Sequence, residues 1–526
     1  MSGTPQAGPD GENPEAYIAG DRRRALAAGT SLPERTSGAA LFADISGFTP
    51  LTEALVAELG AQRGAEELSS ILDRLFDELL GHVMEHGGSV ISFSGDAVTC
   101  WLDGDDGLLA TSCALAIQRA MTGAGSVRLA SGRELQLAMK VAVAVGDARR
   151  FVVGDPRVQL LDVLAGALID ALAETEQQAR AGEVLLDSSA VRSLGDRVHG
   201  TVRRAGARSY LVVDALTVDV VLPARPAPTP PLPEAQVRDW LLPAVFERLR
   251  VGRGEFLTEL RTAVPMFCRF GVPDFDDDPD AVPKLDAFVI AVQRVIDEYG
   301  GSTLQLTIGD KGAYLYAVFG TPLAHEDDVA RACSAALEVR DLEGAHAVTD
   351  LQLGLARGRV RSGTYGHRWR RTFCCLGDPV NLAARLMTAS PPGAILVSAD
   401  VHDVAPGYRW SRLPDQQLKG KSASVVAYEL LGTRNRRRPR QRSGLPPMVG
   451  RAAALAQLED RVAAARGGAG QLVVVRGAVG LGKSRLLAEL GGLLDERGFV
   501  TARGEGQPFG TPTSYAAWHP VWRQLL

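Results

Sequence analysis

The sequence is poor in cysteine, has almost no surplus of charge and contains no long apolar run, and each shortage removes a class of function. Its six cysteines, Cys100, Cys113, Cys268, Cys333, Cys374 and Cys375, include no CxxC pair and do not gather around histidines. Reduced thiols in a cytoplasmic protein fit that pattern; a disulfide framework or a zinc site does not. With 57 Lys+Arg against 62 Asp+Glu the net charge is -5, so no whole-chain field draws in nucleic acid or a membrane surface. The longest apolar runs, such as 472–475, are strand-sized, far below the ~20 residues of a membrane span. The opening MSGTPQAGPDGENPEAYIAGDRRR is polar, rich in Gly and Pro and without an apolar h-region, and is expected to form a disordered leader over 1–34. What remains is 526 residues, 46% of them hydrophobic, enough for about three domains.

The chain carries two similar segments some two hundred residues apart. In the first, a helical stretch near 64–86 ends at a Gly pair, SVISFSGDAVTCWL supplies two strands, and a helix follows near 108–121. The second repeats the order: a helix near 283–299 ending at a Gly pair, TLQLTIGDKGAYLYAVFG for the strands, and a helix near 327–342. Matching late strands follow, GEVLLDSSAV from Gly182 and GAILVSADV from Gly393. Period-2 strands mixed with period-3.6 helices predict an α+β fold in each copy, with helices covering a mainly antiparallel sheet.

Composition divides the chain further. LPARPAPTPPLPEAQ marks a Pro-rich linker, placed at 217–254 between a first domain at 35–216 and a second at 255–433. The basic run RNRRRPRQRSGLPP forms a second, solvated linker at 434–447. A third segment, 448–526, runs from a helix through QLVVVRG, read as a strand, into G-x-x-x-x-G-K-S and an amphipathic helix. Strand, Gly-rich loop and helix are the context this phosphate-binding motif needs. Amides around Gly477, Gly480 and Gly482 would cradle phosphates, Lys483 would reach the β/γ oxygens and Ser484 would ligate Mg2+, so a second nucleotide is expected here. Only 42 residues follow Ser484, fewer than a complete nucleotide-hydrolysing domain requires, and the segment is expected to be the beginning of such a domain.

The chemistry-bearing residues are shared unequally between the copies. In LFADISGFTP, Asp44 follows an apolar strand, Gly47 frees the backbone to turn, and Thr49 can start a helix whose free amides suit phosphate. In ISFSGDAVTCW, Asp96 sits in a turn that exposes its carboxylate. Two such carboxylates suit a pair of hard cations, Mg2+ or Mn2+, with substrate phosphates completing the coordination. Matching the first strands of the copies places Arg269 opposite Asp44, and matching DKGAYLYAVF with FSGDAVTCWL places Ala313 opposite Asp96. Conversely, CCLGDPVNLAARL in the second copy spaces Asn381 and Arg385 one helical turn apart, where GALIDALAE in the first offers Asp170 and Glu174.

FADISGFT, SGDA and GDPVNLAAR together resemble the class III nucleotidyl cyclases, and the tandem order followed by a P-loop segment is similar to cyclase–ATPase fusions of that family. The resemblance implies two ferredoxin-like class III cyclase domains forming an intramolecular pseudo-dimer, followed by the start of an α/β P-loop NTPase domain. It implies an adenylyl cyclase that takes ATP to cyclic AMP and pyrophosphate at the interface. Carried over by position, Asp44, Asp96 and the Ile45 carbonyl would hold two metal ions. Gly47, Phe48 and Thr49 would meet the phosphates and Lys140 the β/γ end. Asn381 would orient the ribose and Arg385 would stabilise charge on the α-phosphate. For the base, the resemblance points to Lys311, to Leu315 lying over it, and to Cys374, a weak hydrogen-bonding thiol. Guanylyl cyclase activity, and a non-catalytic nucleotide-sensing ATPase or scaffold, remain alternatives.

Overall fold

The computed structural model describes residues 13–129, 131–224, 229–251, 259–309, 312–344, 346, 348–415, 424–433, 450–477, 483–502, 504, 518 and 521–522. It divides into two units, Met1–Arg434 and Asn435–Leu526.

The larger unit is a duplication visible in strand order. In the first half the order is Ser89–Ser94, Ala97–Asp103, Arg35–Ser46, Ala138–Val153, Val184–Leu186, Arg208–Leu216, Val198–Ala205. In the second it is Ser302–Thr307, Ala313–Phe319, Glu259–Gly271, Thr349–Leu355, Ile395–Ser398, Ala427–Thr433, Tyr408–Arg412. Each main path has one parallel neighbour at the same place, Ala138–Val153 with Val184–Leu186 and Thr349–Leu355 with Ile395–Ser398. Each first strand pair carries a bulge at the same point, at Ile91 and at Leu304. An added residue there leaves one position unpaired and bends the strand.

The longest helices cover one face of each sheet. Phe48–Glu85, broken at Gly60, buries Leu68, Ile71, Leu72, Leu75, Phe76, Leu79 and Val83 against the first sheet. That three-and-four spacing is the apolar stripe of an amphipathic helix. Ala281–Glu298 does the same in the second half through Leu285, Phe288, Val289, Val292 and Ile296. Each of these helices also packs on the other half: Phe48–Glu85 against Gly358–His367, and Ala281–Glu298 against Ala138–Val153. Those two strands are counterparts, so the contact is reciprocal, as around a two-fold axis. Hydrogen bonds cross it: Gly154 N donates to Asp286 Oδ1 at 2.8 Å, Asp155 N to Gln293 Oε1 at 2.7 Å, and Arg149 Nη1 to the Phe275 carbonyl at 3.0 Å.

Two expectations need correction. The described part of the leader, 13–34, is folded: Pro14–Tyr17 is a 3-10 turn, Gly20–Ala27 is a helix, and Ile18 and Arg22 are buried. Its order comes from partners far along the chain. Arg22 and Arg150 together grip the buried Asp162 carboxylate, and Arg150 also holds Asp21. Likewise the Pro-rich stretch contains the helices Glu234–Arg238 and Pro243–Arg250; Trp240 and Leu241 between them and Val245 and Phe246 on the second are buried in a core shared with Phe267, Tyr316 and Val318.

In the smaller unit the helices Ala452–Arg466 and Lys483–Glu496 pack together, with Leu458, Val462 and Leu486 buried. Residues 471–477, expected as a strand, form no strand, and Leu472 is 92% exposed. No other described residues of this unit form a strand to pair with. No described helix is long and apolar enough to cross a membrane.

Candidate active site

Asp44 lies near the end of Arg35–Ser46, an interior strand of the first sheet, where its Cα partners are Ala97 on one side and Lys140 on the other. Ser94 pairs with Ala97, so Gly95 and Asp96 form a two-residue turn, with Gly95 at φ +69°. The backbone N–H of Ile45 donates to the Asp96 carbonyl at 3.3 Å. Asp44 and Asp96 are thereby held on neighbouring strand ends of one rigid sheet. Gly47 follows at φ +95° and caps the helix from Phe48, its carbonyl accepting from Leu51 N. The left-handed turn is one glycine adopts at little cost, and it aims the chain into that helix. The side chains of Phe48 and Thr49 lie outside the described residues.

Lys140 extends from the adjacent strand, and its ammonium sits 2.8 Å from Asp44 Oδ2 while also contacting Glu176 Oε1. Desolvation alone would lower Lys140, but hydrogen bonds and charge from Asp44 and Glu176 outweigh it and raise its pKa. Glu176, on the Ala167–Gln178 helix, was missed in the sequence because its role depends on a helix packed over the strand. Asp44 thus already accepts a cation. Among the described residues no group of three His, Cys, Asp or Glu side chains could hold a metal alone. A site of two carboxylates fits Mg2+ or Mn2+, whose remaining positions go to water and substrate phosphate.

In the second half, Gly377 leads into the Asp378–Ala389 helix, which buries Ala383, Leu386 and Met387 on its sheet side. Gly354 permits that approach, since a Cβ there would lie 2.2 Å from the Ala383 carbonyl. On the same helix Asn381 is exposed and Arg385 half-buried, one turn apart. Leu376, just before it, packs against the core of the first half. Cys374 is half-buried; burial pushes its thiol well above the ordinary value, with Cys375 and the Asp73 carboxylate adding to this. Asp73 belongs to the first half's long helix, so Cys374 lies at the junction. Lys311 lies outside the described residues.

Leu315 is misplaced by the sequence reading. It is 1% exposed and faces the helix-covered core with Ala313, Ala317 and Phe319. Tyr314 and Tyr316, one residue to either side, face the opposite way, where Tyr316 stacks on Phe267 with ring centroids 4.4 Å apart. Side chains alternate along a strand, and a one-residue offset exchanges the two faces. In the smaller unit, Gly477 precedes the loop and Lys483 opens a helix, whereas Gly480, Gly482 and the Ser484 side chain lie outside the described residues.

The mirror-related pocket is built differently. Sheet register pairs Arg269 with Tyr314 where Asp44 pairs with Ala97. Asp276 Oδ2 accepts from Ala167 N at 2.7 Å at the start of the Ala167–Gln178 helix, and Glu174 pairs with Arg208. Desolvation first, then Asp276 and Asp274, raise the Asp170 carboxyl. A carboxylate of the protein sits at the amides of this helix start, and Arg269 stands where the first half has Asp44.

The adenylate and guanylate cyclase catalytic domain model matches residues 279–432, and an AAA ATPase domain model matches 447–526. Adenylate cyclase type 10 of Mus musculus is 24% identical over 446 residues, covering 76% of this chain and 27% of its own length. The Homo sapiens protein of the same name is 23% identical over 428 residues, covering 75% and 26%. The chain therefore spans about a quarter of the length of these curated relatives. A class III adenylyl cyclase-like ATP-binding protein from Pseudomonas aeruginosa shares the fold with a TM-score of 0.50 at 14% identity, over 70% of this chain and 85% of that one. Residues 279–432 thus match the adenylate and guanylate cyclase catalytic domain model and residues 447–526 the AAA ATPase domain model, and the two sheet-rich domains share the fold of the class III adenylyl cyclase-like ATP-binding protein.

Proposed function

We propose that the chain converts ATP to cyclic AMP and pyrophosphate at one composite site, with Asp44 and Asp96 from the first half and Asn381 and Arg385 from the second. The observation that carries this reading is the asymmetry of the duplication. One pocket keeps two aspartates on rigid strand ends, while its mirror image has Arg269, an Asp276-capped helix and a Glu174–Arg208 pair.

Asp44 and Asp96 are the groups that would hold one or two Mg2+ or Mn2+ ions, which when bound would acidify the ribose 3'-hydroxyl and neutralise the triphosphate. The amides after Gly47 would receive phosphate oxygens at a helix start. Lys140, released from Asp44 and still held by Glu176, would turn to the β/γ end. Asn381 would orient the ribose, and Arg385 would offset charge growing on the α-phosphate oxygens during in-line attack by the 3'-oxygen. No protein nucleophile is needed, since the attacking hydroxyl belongs to the substrate and orientation removes much of the barrier. The type 10 relatives, adenylate cyclases by name, support ATP; Cys374, a thiol at the base-reading position, leaves GTP as the competitor to test.

A second reading, a nucleotide sensor without turnover, draws on the Lys140 ammonium already seated on Asp44 and on the likeness to the ATP-binding protein of Pseudomonas aeruginosa. Incubation with ATP or GTP and Mg2+ or Mn2+, followed by separation of products, decides between them. Equimolar cyclic AMP and pyrophosphate from ATP is the expected result. Tight ATP binding with no cyclic nucleotide from either substrate would establish the sensor instead.

A further inference from the structure

The buried guanidinium of Arg370 lies at the seam between the halves and donates to four backbone carbonyls. Its Nε donates to the Val90 carbonyl at 3.0 Å and Nη2 to the Ile91 carbonyl at 3.0 Å, while Nη1 donates to the Tyr17 carbonyl at 2.8 Å and the Arg371 carbonyl at 2.6 Å. Its Cζ lies 5.4 Å from the centroid of the Phe93 ring. Val90 and Ile91 sit at the bulge of Ser89–Ser94, where Ile91 is skipped by the ladder with Ala97–Asp103. A planar fork with five N–H donors in fixed geometry suits such a cluster of carbonyls, and an ammonium does not reproduce it. Desolvation lowers this guanidinium to about 10, so the group is held there against a cost.

The two strands that Arg370 joins are those that deliver the catalytic groups. Ser89–Ser94 ends directly before the Gly95–Asp96 turn, and Arg370–Leu376 is separated only by Gly377 from the helix that carries Asn381 and Arg385. The mirror position is not equipped alike. His367 pairs with Arg370 and Arg361 with Leu376 in one hairpin, and Arg149 pairs with Ala165 in the other, which makes Gln159 the counterpart of Arg370. Gln159 donates Nε2 to the Trp240 carbonyl at 3.3 Å, and its buried Oε1 has no hydrogen-bond partner. The arginine fork thus stands on the side of the seam that leads to Asp96.

We propose that Arg370 is a positioning residue for the composite site, fixing Asp96 relative to Asn381 and Arg385 by clamping the bulged strand of one half to the hairpin of the other. This rests on the cyclase reading above. It does not touch substrate. A displacement of about 1 Å between reacting groups can cost ~10²-fold in rate, so Arg370→Lys and Arg370→Ala should lower kcat by about that factor with KM for ATP changed less than about threefold. Millimolar guanidinium ion should restore part of the Arg370→Ala rate and none of the Arg370→Lys rate, a pattern that general loss of stability would not produce. Hydrogen exchange should quicken in peptides spanning 89–97 and 376–382, with the helical peptides of 108–124 unchanged. Wild-type kcat in Arg370→Lys, or absence of rescue in a folded Arg370→Ala, overturns the proposal. Absence of cyclic nucleotide from the wild-type chain would instead sink the cyclase reading; the clamp is then judged by exchange alone, and unchanged exchange in both variants overturns it.

Discussion

Asp162→Asn should destabilise the larger unit by about 3 kcal/mol, because Asp162 neutralises two buried arginines at the seam. Arg22 Nη2 lies 2.9 Å from Oδ1, and Arg150 holds both oxygens through Nε at 2.8 Å and Nη2 at 2.7 Å. Removing one partner of a buried ion pair costs roughly 3–5 kcal/mol through the charge left uncompensated. The low end applies, since Arg150 keeps two bonds to Asp21, at 2.9 and 3.2 Å. Burial by itself would raise Asp162, but Arg150 and Arg22 outweigh it and hold it at about 2 against an ordinary 3.8, a difference worth about 2 kcal/mol. A depressed carboxylate contributes stability that is present above pH 4 and is lost as pH falls through its folded pKa. Urea unfolding followed from pH 7 to pH 2 should therefore show the wild type approaching the variant below pH 4. A variant within about 0.5 kcal/mol of wild type at pH 7, or one with the same slope between pH 4 and 2, would refute the reasoning.

Three other substitutions read separate parts of the account. Lys140→Met removes the ammonium that occupies Asp44, so half-saturation by Mn2+ should fall about threefold while KM for ATP rises, both taken from initial rates. Leu315→Ala opens a cavity in a core and should cost about 2–5 kcal/mol in denaturant unfolding while leaving the ATP-to-GTP preference unchanged; a changed preference would return Leu315 to the base pocket. Ile18→Asp places a charge in the core that the N-terminal segment shares with Phe267, Trp240 and Phe373, and should lower the thermal midpoint of the larger unit by several degrees, measured by calorimetry.

The duplication and the division of residues were legible because each rests on local patterning. Alternating strands bounded by Gly turns give the shared order of helices and strands along the chain, and the four-residue spacing of Asn381 and Arg385 is a property of any helix. What was illegible depends on distant partners. Arg22 lies in a stretch with no apolar period, and its order comes from Asp162, which lies 140 residues away. Trp240 and Phe246 sit beside prolines that suggested an extended linker, yet they cover the sheet through Phe267 and Tyr316. Leu315 was displaced by one step of strand parity, which only the core around Phe319 and Ala317 decides. Residues 472–475 have strand composition, but composition supplies no neighbouring strand.

The composite site is tested most directly by initial rates of cyclic AMP formation in paired variants of the two pockets. Asp96→Asn and Arg385→Ala should each lose about 10²-fold or more in kcat, whereas Asp170→Asn and Glu174→Gln, at the mirror positions, should stay within about threefold of wild type. Loss of activity in the mirror pair, or its retention in Asp96→Asn and Arg385→Ala, would contradict the account.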